Sequence, residues 1–120
     1  MRKLVLVSLA SLVLVAAALA PAAVAAPANA VRIAAVSSGL KYDTKVLHAR
    51  AGRITIVFTN RSTLHHNVRI ELGENELGGT KTIGHGTTTA VVTLKKGTYH
   101  FYCSVPGHED AGMSGKLIVS

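Results

Sequence analysis

Short segments in which apolar and polar residues alternate run through the chain from about residue 31 onward. In one of them Ile54, Ile56 and Phe58 alternate with Thr55, Val57 and Thr59. A period of two residues is typical of a β-strand with one buried face. The same alternation predicts three further inward-facing sets: Val68, Ile70 and Leu72; Ala90, Val92 and Leu94; Tyr99, Phe101 and Cys103.

Additional strands are predicted at 31–36, 45–50 and 116–119, where β-branched and apolar residues lie between turn residues. The predicted turns are Ser38-Gly39, Ala51-Gly52, Gly73–Gly79, Gly84-His85-Gly86 and Lys96-Gly97. No stretch of this region has a helical period. About seven short strands in about 90 residues predict an all-β fold, most simply a β-sandwich.

The first 30 residues have a different pattern. A basic start, Met1-Arg2-Lys3, precedes an uncharged run from Leu4 to Val31 that becomes rich in Ala after Val15. This pattern predicts an export signal at 1–30 and a folded domain at 31–120, working in the periplasm or outside the cell. Two sites have the small residues that a signal peptidase requires, Ala23-Val24-Ala25 and the favoured Ala28-Asn29-Ala30. An uncleaved membrane anchor stays open as an alternative.

Composition narrows the possible functions. The chain has 13 Lys plus Arg and 6 Asp plus Glu, a formal charge of +7, which becomes +5 without Arg2 and Lys3. The basic residues are scattered, so nucleic acid is not an expected partner, whereas an acidic docking surface on a protein partner is. A single Cys excludes an internal disulfide and a four-thiolate metal site. A monomer is the default expectation.

One loop carries a group of metal-binding residue types. Cys103, His108 and Met113 are each separated by four residues, after a predicted strand. A thiolate, an imidazole and a thioether together match the ligand preferences of copper. A fourth ligand must come from elsewhere, and His66 is the best candidate because it shares the inward parity of Val68. Zinc is a less favoured ion for this set.

These motifs resemble those of the cupredoxins, the plastocyanin, azurin and auracyanin type of blue copper protein. His66-Asn67-Val68 is similar to the family's first-ligand strand, and the segment from Cys103 to Gly115 is similar to its ligand loop. The resemblance covers essentially all of 31–120. It implies a Greek-key β-sandwich that holds one type 1 copper ion through His66, Cys103 and His108, with Met113 as a weak axial ligand.

The resemblance also assigns roles around the ligands. It implies that Asn67 and Ser104 tie the two ligand segments together by hydrogen bonds. His65 stands where plastocyanin-like members often have Pro, so the sequence leaves open which of the two adjacent histidines binds the metal. His108 is expected to serve as the electron port, within an apolar patch formed by Val105, Pro106, Gly107, Ala111 and Gly112.

The function expected from these features is one-electron transfer between Cu(II) and Cu(I), with redox proteins as partners. Copper binding or delivery without electron transfer is the alternative. Enzymatic activity is not expected, because copper enzymes of this superfamily need further metal centres and domains. The binuclear copper domain of terminal oxidases needs two Cys in the ligand loop, whereas this chain has only Cys103.

Overall fold

The computed structural model describes residues 3–5, 10–22 and 28–120. Regular structure among these residues consists of eight strands and no helix. The strands are β1 (Ala30–Ala35), β2 (Val46–Ala49), β3 (Gly52–Asn60), β4 (Arg69–Leu72), β5 (Asn75–Gly79), β6 (Gly86–Leu94), β7 (Gly97–Tyr102) and β8 (Ser114–Val119).

The strands form two sheets, one with the order β1-β3-β6 and one with the order β2-β8-β7-β4-β5. β1 runs parallel to β3 and β2 runs parallel to β8, and the other pairs are antiparallel. The chain crosses repeatedly between the sheets, because β1, β3 and β6 alternate in sequence with strands of the other sheet. The predicted all-β, Greek-key sandwich is confirmed.

The inner faces of the two sheets form one apolar core. From β3, Ile54, Ile56 and Phe58 are fully buried, as their alternation predicted. The ring of Tyr42 packs edge-on against Phe58 at 6.3 Å and against Phe101 of the other sheet at 5.6 Å. Burial of each large side chain contributes about 1.5–3 kcal/mol relative to leaving it in water, so the alternating residues hold the sheets together.

The sequence prediction is wrong in one hairpin. The segment Gly73–Gly79, expected to be a turn, contains strand β5, an edge strand that pairs only with β4. Leu72, expected to point inward, is 52% exposed. It is the last residue of β4, directly before the turn and beyond the register shift between Ile70 and Glu71, so the alternation does not carry it into the core.

The described residues that precede the sandwich, 3–5 and 10–22, are exposed and have no regular secondary structure. No helix among the described residues is long and apolar enough to span a membrane. The candidate cleavage site Ala23-Val24-Ala25 lies outside the described residues. The fold itself begins slightly before the predicted boundary, because Ala30 already pairs with Thr55.

Asn29 connects the start of the domain to the turn between β2 and β3. Its Nδ2 donates to the backbone oxygens of Arg50 at 2.8 Å and Arg53 at 3.1 Å, and its Oδ1 accepts from the Arg50 backbone N–H at 3.1 Å. Its own backbone oxygen accepts from the N–H of Thr55 at 2.9 Å. Residues before position 31 therefore contribute to the sandwich.

Candidate metal centre

His66 lies just before β4, where the chain pairs briefly with the segment that leads into β6. Its backbone N–H donates to the oxygen of Ile83 at 3.1 Å, and its oxygen accepts from the N–H of Ile83 at 2.9 Å. Two reciprocal bonds fix the backbone here, and the side chain is fully buried. The inward direction predicted from the parity of Val68 is the one that the structure has.

The adjacent His65 points to solvent instead. Its ring packs against Gly84, where an added Cβ would lie 3.2 Å from Nε2 of the histidine. Neighbouring residues of an extended segment point to opposite sides, so only one of the two histidines can face the core. The structure places His66 there, beside the other predicted donors, and leaves His65 at the surface.

Cys103 follows directly after β7 and continues its inward-facing set, which includes Phe101. Both side chains are fully buried. The backbone N–H of Cys103 donates to the oxygen of Met113 at 3.0 Å. That bond joins the two ends of the ligand loop, so the loop is closed directly above the end of the core.

The loop between these ends is held by its own backbone bonds. The N–H of Met113 donates to the oxygen of His108 at 3.1 Å, and the N–H of His108 donates to that of Val105 at 3.0 Å. Gly107 has a φ of 82°, in the left-handed region that favours glycine. Nζ of Lys45 donates to backbone oxygens at the loop end, from Gly112 and Ser114. The loop is thus held in shape by hydrogen bonds within the protein.

Three donor atoms meet beneath this loop. Nδ1 of His66 lies 3.1 Å from Nδ1 of His108, and Sγ of Cys103 lies 3.9 and 3.7 Å from these two nitrogens. Metal bonds of about 2.0–2.1 Å to nitrogen and 2.3 Å to sulfur in a trigonal plane would put sulfur about 3.8 Å from each nitrogen. The donor set therefore fits one ion at its centre without a large rearrangement.

Met113 is the fourth member of the predicted set, and its side chain is fully buried and belongs, like Cys103, to the core cluster. Its role as an axial ligand stays a prediction. The structure thus brings all four predicted residues to one end of the sandwich, three of them with donor atoms within 4.8 Å of one another.

The environment of His66 favours its neutral form. Burial, followed by the nearby His108 and His65 rings, lowers the pKa of His66 below its ordinary value of 6.5. Neutral imidazole is the form that binds a metal ion. Its other nitrogen, Nε2, is buried and has no hydrogen-bond partner among the described residues.

Asn67 links the two segments that carry the donors, as the resemblance implied. Its Oδ1 accepts from the backbone N–H of Ser104 at 2.9 Å, and its Nδ2 donates to the Ser104 hydroxyl at 2.8 Å. The Asn67 side chain also donates to the hydroxyl of Thr82 at 2.8 Å. These bonds fix the residue after His66 to the residue after Cys103, which sets the spacing between imidazole and thiolate.

Sequence reasoning missed Tyr42, a buried residue between the sheets. Its hydroxyl donates to the backbone oxygen of Asn67. Burial first, and then the neighbouring Cys103, raises the pKa of this hydroxyl far above its ordinary value, so it stays a neutral donor. Tyr42 precedes β2 and is distant in sequence from both donor segments, and no local pattern connects it with them.

Thr80 was also missed. Its hydroxyl accepts from the backbone N–H of Val68 at 3.0 Å, and its N–H donates to the oxygen of Val68 at 2.8 Å. Thr80 therefore supplies Val68, just before β4, with the hydrogen bonds that a neighbouring strand would otherwise provide. Thr80 directly follows the two glycines that end β5. Nothing in the local sequence indicates that its side chain is buried and bonded to Val68.

Comparison with known proteins assigns the chain to a family. Residues 29–120 match the family described as copper binding proteins, plastocyanin/azurin family. The chain belongs to this family. Its cofactor is one type 1 copper ion, and the His66, Cys103 and His108 donors provide the two nitrogens and the thiolate that such an ion requires.

Individual relatives agree with this assignment. The chain is 34% identical over 104 residues to a chloroplastic plastocyanin of Pisum sativum, covering 75% of this chain and 58% of the relative. A plastocyanin of Rumex obtusifolius is 36% identical over 78 residues, covering 53% of this chain and 73% of the relative. The chain therefore spans less than two thirds of the pea protein.

Among solved structures, the reduced auracyanin of Roseiflexus castenholzii has a TM-score of 0.70 and 30% identity. The match covers 76% of this chain and 96% of that one. Auracyanin A of Chloroflexus aurantiacus has a TM-score of 0.67 and 25% identity, covering 76% and 98%. The second of these is described as a blue copper protein, and the cupredoxin resemblance is confirmed.

In this cupredoxin, the surface above the donors is formed by the ligand loop. His108 is half-buried, in contrast to the fully buried His66 and Cys103. The residues predicted to surround it vary in exposure: Pro106, Gly107 and Ala111 are exposed, and Val105 and Gly112 are partly buried. Leu64, two residues before His66, is 48% exposed.

Proposed function

We propose that the protein is a blue-copper electron carrier in which His66, Cys103 and His108 would hold the ion, with Met113 as a weaker fourth ligand. The observation that supports this most is the donor triangle, with sulfur 3.7 and 3.9 Å from two imidazole nitrogens. A His₂Cys trigonal set with a weak axial Met is the ligand arrangement of blue-copper sites. When bound, the copper ion supplies a one-electron couple between Cu(II) and Cu(I).

The protein holds the metal-binding atoms in fixed positions. Cys103 and Met113 are tied by a backbone bond, and Asn67 ties the His66 segment to Ser104. The donors sit at the end of a sandwich whose core is fully buried. A site that does not rearrange between oxidation states has a low barrier to electron transfer, and the bonds around the Cys sulfur tune the potential.

We propose that electrons enter and leave through His108, because it is the one donor residue of the three that reaches the surface. Val105 and Pro106 of the ligand loop offer apolar contact to a redox partner. The formal charge of +5 on the chain without Arg2 and Lys3 favours an acidic surface on that partner. Two acidic residues, Glu109 and Asp110, directly follow His108, so the port itself is not basic. Contact at the port itself would therefore be apolar, with charge acting at longer range.

We propose an exported protein, as the basic start and the uncharged run of the first 30 residues indicate. The relative from Pisum sativum is described as chloroplastic, and this chain is instead expected in the periplasm or outside the cell. A free thiol in an oxidising compartment is protected when it is buried and bound to a metal. The full burial of Cys103 is consistent with that location.

Copper delivery without electron transfer is the alternative that the sequence left open. A delivery protein must release its ion to another site, whereas two of the three donor residues here are fully buried. The ligand loop is also closed by the Cys103–Met113 backbone bond. The burial of the donors therefore favours retention of the ion over transfer.

Two measurements separate these functions. Voltammetry of the copper-loaded domain should show a reversible one-electron wave. The copper should also stay bound when a Cu(I) chelator is added in moderate excess. An irreversible wave together with rapid loss of copper to the chelator would favour delivery and contradict the proposed carrier.

A further inference from the structure

A second group of metal-binding side chains lies on the outer face of the larger sheet. Glu71 of β4, His100 of β7 and Glu109 of the ligand loop bring two carboxylates and one imidazole together, with donor atoms within 4.8 Å of one another. None of these residues takes part in the copper centre. Glu71 and His100 are partly buried, and Glu109 is exposed.

The sheet register creates this cluster. Glu71 and His100 are directly opposite each other in the antiparallel pair of β4 and β7, so their side chains emerge on the same face. His100 belongs to the outward set of β7 and stacks on Tyr102 at 5.7 Å with an interplanar angle of 12°. The stacked ring has a defined orientation, with Nε2 directed at the carboxylates.

The spacing of the donor atoms is near that around a small divalent ion, and the shorter of the two contacts of His100 is a hydrogen bond with Glu109. Nε2 of His100 lies 2.8 Å from Oε1 of Glu109 and 3.9 Å from Oε1 of Glu71. Two ligands bonded at about 2.0–2.1 Å in tetrahedral geometry are about 3.3 Å apart, a value between these two distances. A shift of about half an ångström in each flexible Glu side chain would therefore complete the geometry.

The charge of the cluster is also unbalanced. Among residues 28–120, no Lys or Arg nitrogen lies within ion-pair distance of Glu71 or Glu109, and His100 is their ionic neighbour. Arg69, on the same strand as Glu71, pairs with Glu76 instead.

We propose that Glu71, His100 and Glu109 form a surface site for a divalent transition-metal ion of the zinc type. Two carboxylates and one imidazole are ligands that Zn²⁺ accepts, and three protein ligands leave a position for water. The site differs from the copper centre in ligand chemistry, because it has no sulfur donor. It also lies outside the core, where an ion can enter and leave freely.

The test is a calorimetric titration of Zn²⁺ into the copper-loaded protein at pH 7.5, with the visible absorption followed in parallel. We expect one equivalent of Zn²⁺ to bind while the copper absorption stays unchanged. His100→Gln and Glu71→Gln should each weaken zinc binding at least tenfold. Glu74→Gln removes the same charge from the adjacent turn, outside the cluster, and should leave the affinity unaltered.

Two results would overturn the proposal. The first is the absence of zinc binding at millimolar concentration. The second is equal zinc affinity in the His100→Gln variant, which would place the ion at another surface histidine. The comparison of zinc affinities depends on the surface cluster alone. It therefore tests the zinc site even if the copper centre does not have its proposed electron-transfer role.

Discussion

Asn67 and Ser104 are joined by two hydrogen bonds that run in opposite senses, one from the Ser104 backbone N–H and one from the Asn67 side-chain amide. Each residue directly follows a donor of the copper centre. The link therefore holds the two donor segments together and fixes the separation of His66 and Cys103. Both hydrogen bonds depend on the side chain of Asn67.

Replacement of that side chain is the first prediction. Asn67→Ala removes its bonds to Ser104 and Thr82 and leaves the Ser104 N–H without its partner, so we expect a loss of about 3 kcal/mol in the free energy of unfolding. Ser104→Ala removes only the hydroxyl bond and should cost about 1 kcal/mol. Urea denaturation of the copper-free proteins measures both, and equal losses would contradict the proposed link.

The two adjacent histidines give the second prediction. His66→Ala removes a buried donor and should abolish the intense visible absorption of the copper-loaded protein. His65→Ala removes an exposed ring on the other side of the segment and should leave the absorption intact. The two variants differ by one position in the same segment, so each is the control for the other. Loss of colour in His65→Ala alone would reverse the assignment.

Tyr42→Phe is the third prediction. It removes the hydroxyl that donates to the backbone oxygen of Asn67, which leaves a buried oxygen without its donor. We expect a loss of about 1–2 kcal/mol in the free energy of unfolding at pH 7. The aromatic contacts with Phe58 and Phe101 are retained, so the fold should persist, as far-ultraviolet circular dichroism would show.

The same variant changes the response to alkali. Because the pKa of Tyr42 is raised in the folded state, its proton stabilises the fold fully below the unfolded pKa of about 10. That stability is lost as the pH rises above 10, where the unfolded chain releases the proton and the folded chain does not. Stability between pH 9 and 11 should therefore fall more steeply in the parent than in Tyr42→Phe, and equal slopes would count against this role.

Asn29 gives the fourth prediction. Its side chain makes three hydrogen bonds to Arg50 and Arg53, so Asn29→Ala should cost about 1 kcal/mol of stability at this partly buried position. Asn75→Ala, in the exposed edge strand β5, is the matched control and should cost less. Thermal unfolding would compare them.

The position of Asn29 also bears on processing of the chain. Cleavage after Ala30 would remove Asn29 and its contacts, whereas cleavage at Ala23-Val24-Ala25 would retain them. We therefore expect the exported protein to begin before Asn29, and mass spectrometry of the secreted form would measure this. A mature chain that begins at Val31 would show that the sandwich does not need the Asn29 contacts.

Local alternation was sufficient to predict the strands that line the core. Ile54, Ile56 and Phe58 are fully buried because β3 packs its inner face on the other sheet along its whole length. The same reasoning placed His66 and Cys103 inward, because a ligand at a strand end keeps the parity of the strand.

Features that depend on distant parts of the chain could not be predicted. β5 is rich in Gly, Asn and Glu, residues with low strand propensity, and it exists because its backbone pairs with β4. Tyr42 and Thr80 contact the ligand segments across the fold, with no motif to indicate the contact. The pairing of Glu71 with His100 similarly follows from sheet register, which the sequence pattern did not reveal.

The proposed type 1 copper site depends on Cys103, which would bind the ion together with His66 and His108. Its most direct test is the visible and paramagnetic resonance spectrum of the domain after addition of Cu(II), recorded for the parent and for Cys103→Ala. We predict an intense sulfur-to-copper charge-transfer band with a narrow copper hyperfine splitting in the parent, and neither in the variant. A parent spectrum without that band, or the same band in Cys103→Ala, would contradict copper binding through the Cys103 thiolate.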